Sequence, residues 1–257
     1  MFSLADHRFR LEGEPVWRDT DAATLHALLA SGARCEAPLT GAVYGTLLND
    51  RATLDAMGAE LSAPPYKAPP RAPVLYVRPR NTWSGHGASV RVPAGDAGVV
   101  VGGSLGIVLG RVAVKVSVER ALDYVAGYTT VVDLSVPHAS VYRPVVDLRS
   151  RDGFCVIGPA LVAGRHAGNP DAARIEIRVA GQRPFVAGTS TCVRSVARLL
   201  ADVTEFMTLM PGDVLTMGVP FGAPLAHAGD AIEVRIDDHE PLRFSLRAEA
   251  AVMEGTP

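Results

Sequence analysis

The stretch Asp123-Tyr124-Val125-Ala126-Gly127-Tyr128-Thr129-Thr130-Val131-Val132-Asp133 decides the fold of this chain. Its second half is dominated by β-branched residues, which favour a strand that ends at a carboxylate. Gly127 is predicted to turn the chain from a short helix into that strand. Similar β-branched runs, separated by glycines, recur at Val99–Val101, Gly106–Val116, Ala173–Val179 and Ala231–Ile236. The sequence therefore predicts a domain of many short strands.

Helical periodicity is confined to a few segments. The predicted helices run from about Asp21 to Ala30, near Asp50 to Leu61, and over Val118–Val125 and Thr191–Met207. Asp19 or Thr20 is expected to cap the first helix, because short polar side chains accept hydrogen bonds from free backbone N–H groups. The predicted fold class is β-rich α+β. The predicted organisation is a small N-terminal appendage at residues 1–40 and one domain at 41–257.

Composition excludes several classes of protein. The chain has 257 residues, 48% of them hydrophobic, which is enough for a sizeable core. The 25 basic and 27 acidic residues give a formal net charge of -2, so neither nucleic acid nor an anionic membrane is an expected partner. Three cysteines without a paired spacing suit a reducing compartment. With neither a signal peptide nor a long apolar run evident, a cytoplasmic location is expected.

Two local patterns have competing interpretations. The proline-dense segment at 63–73 is either a polyproline ligand for another protein or a rigid loop that leads into a strand at Val74–Val77, and the loop is favoured. Gly102 to Gly106 matches G-x-S-x-G, the nucleophile elbow of α/β-hydrolases. That elbow requires a helix after the serine, whereas a β-branched run follows Ser104. We attribute this match to chance.

Several longer motifs follow one another in a fixed order. They are Y-x-x-G-Y at 124–128 with the strand to Asp133, R-D-G-F-C-V-I-G-P at 151–159, E-F-M-T-L-M-P-G-D at 205–213 and G-V-P at 218–220. In this order the motifs resemble the fumarylacetoacetate hydrolase superfamily, over roughly residues 41–252. Three segments, at 62–82, 133–144 and 150–159, are also similar to one branch of this superfamily. The members of this branch are bifunctional decarboxylases and isomerases of homoprotocatechuate (4-hydroxyphenylacetate) breakdown, and the similarity is to their N-terminal half.

The resemblance implies a mixed β-sandwich roll with a few packing helices. In this superfamily a magnesium or manganese ion is held by two glutamates in an E-x-E pattern and one later aspartate. It stabilises an enolate during C–C cleavage or double-bond migration. The aspartate falls on Asp133, whereas the glutamate positions fall on Gly102 and Ser104. The resemblance therefore predicts no metal on this chain, with Asp133 as a remnant ligand position.

Other site residues follow from the same resemblance. The family's basic residue before the D-x-F-C stretch appears as Arg149, which can clamp a carboxylate but cannot shuttle a proton. The histidine of hydrolytic members falls near Thr53, so a hydrolase is not expected. Asp133 and Arg149 are the candidate catalytic residues, and Arg143 and Arg151 are the candidate substrate-binding residues. The alternatives are a purely structural Asp133 and arginines that face solvent or a subunit interface.

The sequence is compatible with two functions. The first is a lyase and isomerase subunit that takes part in decarboxylating 5-carboxymethyl-2-oxo-hex-3-ene-1,7-dioate and isomerising the resulting 2-hydroxyhepta-2,4-diene-1,7-dioate. The second is a non-catalytic scaffold that pairs with a metal-bearing homologue. The expected partners are a small oxo-dicarboxylate and either further copies of this chain or a C-terminal-type catalytic subunit.

Overall fold

A computed structural model describes residues 6–65, 67–93, 98–138 and 145–249. Within these residues the chain forms two β-sheets with a few short helices, which confirms the predicted β-rich α+β class. The strands are β1 (His7–Phe9), β2 (Arg18–Thr20), β3 (Val43–Leu47), β4 (Val74–Arg78), β5 (Trp83–Ser84), β6 (Ser89–Val92), β7 (Val99–Leu109), β8 (Val125–Ser135), β9 (Cys155–Ala163), β10 (Arg174–Val179), β11 (Phe185–Gly188), β12 (Val214–Thr216), β13 (Leu225–Ala226), β14 (Ala231–Ile236) and β15 (Leu242–Ala248).

The larger sheet has ten strands, and its main path is β2-β1-β9-β8-β7-β12-β3-β4. The predicted strands at Val99–Val101 and Gly106–Val116 were wrong in their bounds, because β7 continues through the glycines and ends at Leu109. Glycine suits these positions of β7 because side chains of neighbouring residues pack closely against its backbone and leave little room for a Cβ. A Cβ on Gly103 would lie 3.1 Å from both Ile177 and Val234.

The smaller sheet has five strands in the order β11-β10-β14-β15-β6. One face of β7 and β8 packs against it and forms the main core. Members of this core that are fully buried include Val101, Leu105, Leu134, Ile177 and Val234. The opposite face of the large sheet carries a second buried cluster around Val131, Cys155 and Val214, and this face also positions the candidate site.

The helices are α1 (Ala22–Ala30), α2 (Arg51–Met57), α3 (Val146–Arg149) and α4 (Val196–Thr204), with 3-10 turns at Gly58–Ser62, Arg80–Thr82, Val118–Tyr124, Gly164–His166 and Thr189–Thr191. Asp21, rather than Asp19 or Thr20, caps α1 by accepting a hydrogen bond from the Thr24 N–H at 2.8 Å. Asp19 instead pairs with Arg8 across the β1–β2 hairpin at 2.7 Å. The predicted helix at 191–207 is shorter, because Ser195 caps α4.

The N-terminal residues extend the large sheet, since β1 pairs with β9 in antiparallel register. The boundary at residue 40 stays a prediction. The proline-dense segment leads into β4, as the loop interpretation requires. All three cysteines are free. Among the described residues, no helix combines the length and apolarity that a membrane crossing requires.

Candidate functional site

Asp133 lies near the end of β8, on the face of the large sheet opposite the main core. In the antiparallel pairing of β7 and β8, Gly102 is directly opposite Asp133 and Ser104 is opposite Val131. Residues that are directly opposite, and residues two apart, share one face of a sheet. The three positions to which the resemblance assigns the ligand set therefore lie on the same face of the sheet.

Two residues of β4 hold the Asp133 carboxylate. The Tyr76 hydroxyl donates a hydrogen bond to Oδ2, and Arg78 Nε donates to the same oxygen at 3.2 Å. Arg78 Nη2 also contacts Oδ1 as an ion pair, although Oδ1 has no partner in hydrogen-bond geometry. Tyr76 reaches this position because its ring lies over Gly45 of β3, where a Cβ would collide with it.

Arg78 is 2% exposed, and its guanidinium is shared among several acceptors. Its Nη1 donates to the Arg149 carbonyl oxygen, and its Nη2 donates to the Leu134 carbonyl oxygen at 2.9 Å. Burial lowers the pKa of Arg78 from its usual value, but a guanidinium remains charged in proteins. Arg78 is therefore a fixed buried cation that ties β4, β8 and α3 together.

Arg149 forms a longer ion pair with the same carboxylate but makes no hydrogen bond to it. Its Nη1 lies 3.7 Å from Asp133 Oδ1, is buried, and has no hydrogen-bond partner among the described residues. Its guanidinium carbon lies 4.9 Å from the centroid of the Tyr76 ring, within cation–π range. With Arg78 already neutralising Asp133, the charge on Arg149 gives this cluster a net charge of +1.

The two positions that carry glutamate in the resembling family cannot supply ligands here. A Cβ added to Gly102 would lie 2.6 Å from Val219 Cγ2 and 2.9 Å from the Asp133 carbonyl oxygen. The Val219 side chain therefore occupies the space that a side chain at position 102 would need. Ser104 is 1% exposed, and its hydroxyl lies 3.5 Å from the Leu105 carbonyl oxygen.

These residues do not fit a divalent metal ion. Magnesium and manganese require several carboxylate or other oxygen ligands, and Asp133 is the one carboxylate among the three positions. That carboxylate is already bound by the cation of Arg78. Within the described ranges, no group of three or more His, Cys, Asp or Glu side chains is arranged to hold a metal ion.

The remaining predicted residues lie away from Asp133 or outside the described residues. Arg151 pairs with Glu249 at 2.9 Å and donates to the Asp147 carbonyl oxygen at 3.1 Å. Arg143 belongs to the segment 139–144, which lies outside the described residues. The Thr53 hydroxyl donates to Asp50 Oδ2 at 3.1 Å, in the N-terminal cap of α2. Of the predicted arginines, only Arg149 is shown beside Asp133.

Sequence reasoning missed Tyr76 and Arg78 as site residues. Both lie in the segment 62–82, which resembles the family, but no sequence pattern connects either residue to Asp133. Cys155, directly opposite Asp133 on β9, is not a nucleophile candidate. Burial raises the pKa of its thiol to about 12.

Comparison with known proteins identifies the family of this chain. Residues 42–247 match the family described as "Fumarylacetoacetate (FAA) hydrolase C-terminal". The chain is 35% identical over 214 residues to the 4-hydroxyphenylacetate degradation bifunctional isomerase/decarboxylase of Escherichia coli. This match covers 83% of the chain but only 49% of that protein. The chain thus spans about half the length of this relative.

Solved structures share the fold. The 2-hydroxyhepta-2,4-diene-1,7-dioate isomerase of Mycobacterium marinum superposes with a TM-score of 0.75 at 21% identity, covering 96% of this chain and all of that one. Fumarylpyruvate hydrolase of Pseudomonas aeruginosa, solved with Mn²⁺ and pyruvate, gives a TM-score of 0.70 at 19% identity, covering 97% and 99% of the two chains.

The two packed mixed sheets with few helices define the class of fold. By its sequence match over most of its length, the chain belongs to the fumarylacetoacetate hydrolase family. Its predicted mixed β-sandwich roll is confirmed by the solved relatives.

Proposed function

We propose that this chain is a subunit of a bifunctional decarboxylase and isomerase of homoprotocatechuate breakdown, and that its own pocket does not carry the metal-dependent chemistry. The observation that supports this proposal is the Arg78 guanidinium bound to Asp133, with Gly102 and Ser104 at the other ligand positions. A family member without a metal-binding set must obtain enolate stabilisation from another source. A homologous subunit that bears the metal is that source.

The partner that this proposal requires is a metal-bearing homologue. The E. coli bifunctional protein extends well beyond the part that this chain matches, because the match covers 49% of it. The metal-bearing homologue would correspond to the remainder of that protein. We therefore infer a hetero-oligomer that acts on 5-carboxymethyl-2-oxo-hex-3-ene-1,7-dioate and 2-hydroxyhepta-2,4-diene-1,7-dioate.

Arg149 is the residue of this chain that is best placed to take part. Its Nη1 is buried without a hydrogen bond among the described residues, and such a group favours a carboxylate ligand. Tyr76 would hold the guanidinium in place through its ring. In this proposal Arg149 binds and orients a substrate carboxylate, and it transfers no proton.

A second candidate is a scaffold that touches no substrate. It is favoured by the filling of the pocket, because Asp133 and Ser104 are 5% and 1% exposed and Val219 covers Gly102. In that case Arg78 and Asp133 are purely structural. The chain would then preserve the family fold only to assemble with a metal-bearing homologue.

The test compares this chain, the candidate catalytic subunit and their mixture. With excess Mg²⁺, we expect no decarboxylation of the triacid by this chain alone and full activity in the mixture, with co-elution in a mass measurement. Decarboxylation by the isolated chain at an ordinary enzyme rate would refute the proposal. So would full activity of the partner alone with no complex formed.

Arg149→Gln in the mixture separates the two candidates. A rise in KM for the triacid indicates that Arg149 contacts substrate, whereas unchanged kinetics indicate a scaffold. Arg120→Gln is the matched control, because Arg120 is an exposed arginine in another short helical segment and pairs only with Asp123 among the described residues.

A further inference from the structure

The solvent face of the five-stranded sheet is strongly basic. Strand alternation places eight charged residues on it: Arg91, Arg174, Glu176, Arg178, Glu233, Arg235, Arg243 and Arg247. Six arginines minus two glutamates give +4, although the whole chain has a formal net charge of -2. The excess positive charge is therefore concentrated on one face.

Four of the six arginines on this face contact one of the two glutamates. Glu176 pairs with Arg174 and Arg178 on its own strand. Glu233 pairs with Arg243 at 2.8 Å, and its carboxylate lies 4.0 Å from Arg235. These two glutamates account for four of the six arginines. The other two, Arg91 and Arg247, lie at the β6 edge of the sheet.

Arg91 and Arg247 are placed side by side by strand register. The parallel pairing of β6 and β15 puts Arg91 directly opposite Arg247. Neither side chain makes a hydrogen bond or an ion pair with any of the described residues. Like charges opposite one another destabilise a sheet unless an anion lies between them. The register thus places two guanidinium groups, neither of them engaged by a described residue, where one ligand can reach both.

A third arginine joins them in a cleft of about 630 Å³. The cleft is lined by Arg91, Arg151 and Arg247 together with Ser84 and Ser89. Both acidic residues that line the cleft already have partners. Glu249 pairs with Arg151 at 2.9 Å, and Asp152 accepts a hydrogen bond from the Asn81 amide at 2.8 Å. The size is within the ordinary range for small-molecule sites.

We propose that this cleft is a second anion-binding site, distinct from the Asp133 pocket, which takes a small di- or tricarboxylate through Arg91 and Arg247 with Arg151 at its rim. Guanidinium groups pair with planar carboxylates in two-point contacts, and two adjacent guanidinium groups select ligands with more than one carboxylate. The choice of a polycarboxylate over other anions rests on the proposed function. The site itself uses no residue of the Asp133 cluster.

The experiment is a calorimetric titration of the full chain at low salt with propane-1,2,3-tricarboxylate, with acetate as the monovalent comparison. We expect saturable binding of the tricarboxylate, weakened about tenfold or more by Arg91→Gln or Arg247→Gln, and none of acetate. Arg235→Gln, on the same face, is the matched control and should bind like the unmodified chain. The Arg91→Gln variant should also be at least as stable without ligand, because a like-charge contact is removed.

Two outcomes with the unmodified chain and the Arg235→Gln variant overturn the proposal. One is the absence of saturable binding. The other is an equal loss of affinity in Arg235→Gln, which indicates a general effect of the basic face. Arg149→Gln distinguishes this site from the proposed function, because it must leave the titration unchanged. If Arg149→Gln abolishes binding, the ligand lies in the Asp133 pocket and the cleft is not the site.

Discussion

Arg78 and Asp133 form an ion pair in which both side chains are almost completely removed from solvent, with residue exposures of 2% and 5%. The pair joins the end of β4 to the end of β8. Arg78 also binds the carbonyl oxygens of Leu134 and Arg149. Asp133, to which the resemblance assigns a metal-ligand position, is therefore part of a structural junction in this chain.

Arg78→Met should destabilise the fold by about 3–5 kcal/mol, because it removes the guanidinium that binds the buried Asp133 carboxylate and two backbone carbonyl oxygens. Arg149 Nη1, 3.7 Å from that carboxylate, makes no hydrogen bond in its place. Adding Asp133→Asn should restore part of the loss, since the uncompensated charge is then gone. Urea denaturation of the two single variants and the double variant measures both effects. A loss below about 1 kcal/mol for Arg78→Met would show that the pair is not structural.

Tyr76→Phe should cost about 1–3 kcal/mol, because it removes the hydroxyl that donates to Asp133 while keeping the ring over Gly45. Thermal denaturation provides the measurement. Tyr124→Phe is the control, since the Tyr124 hydroxyl makes no hydrogen bond with the described residues. Equal stability of the two variants would contradict a role for the Tyr76 hydroxyl.

Gly102→Glu should lower the stability by about 1–3 kcal/mol, because the new side chain meets Val219. Combining it with Val219→Ala should reduce the penalty, and Val219→Ala alone serves as the reference. Chemical denaturation of all three variants tests the argument. If Gly102→Glu is as stable as the unmodified chain, Val219 does not block this position.

Divalent cations should not stabilise this chain. Arg78 already binds the single carboxylate of the assigned ligand positions, and the part of the chain that the structure describes offers no other group of side chains arranged to hold the ion. We expect no saturable heat in a titration with Mn²⁺ and an unchanged melting temperature at about 5 mM Mn²⁺. Stoichiometric tight binding would show that the assignment of Gly102 and Ser104 to the E-x-E positions is wrong.

Stability should fall on acidification partly through His86. Burial, together with the charge of Arg243, lowers the pKa of His86 from 6.5 to about 4. Below pH 6.5 the unfolded chain takes up a proton that the folded chain does not accept until about pH 4. The free energy of unfolding therefore decreases across that window, by on the order of 3 kcal/mol for this residue.

His86→Gln should flatten this part of the pH profile of unfolding, whereas His227→Gln, at an exposed histidine, should not. Some pH dependence should remain in His86→Gln, because burial also lowers the pKa of His7 and His239. An identical slope in the two variants would exclude His86 as a contributor.

Much of the fold could be predicted from local sequence. The strands at 74–77, 173–179 and 231–236 were predicted almost to the residue, because their β-branched runs are bounded by turn residues. The strand predictions failed where side-chain packing overrides the local conformational preference of a residue. Gly102 and Gly103 continue β7 instead of breaking it, since neighbouring side chains fill the space beside them.

The candidate site, like the fold, could be predicted from the sequence only in part. The sequence by itself determined that Asp133 ends a strand and that Gly102 and Ser104 carry no carboxylate, because these are matters of residue identity and order. Only the tertiary structure decided that Arg78 and Tyr76, more than fifty residues earlier in the chain, hold that carboxylate. It also placed Arg149 beside Asp133 and Arg151 beside Arg91 and Arg247. Long-range strand register sets these contacts, and it leaves no local pattern in the sequence.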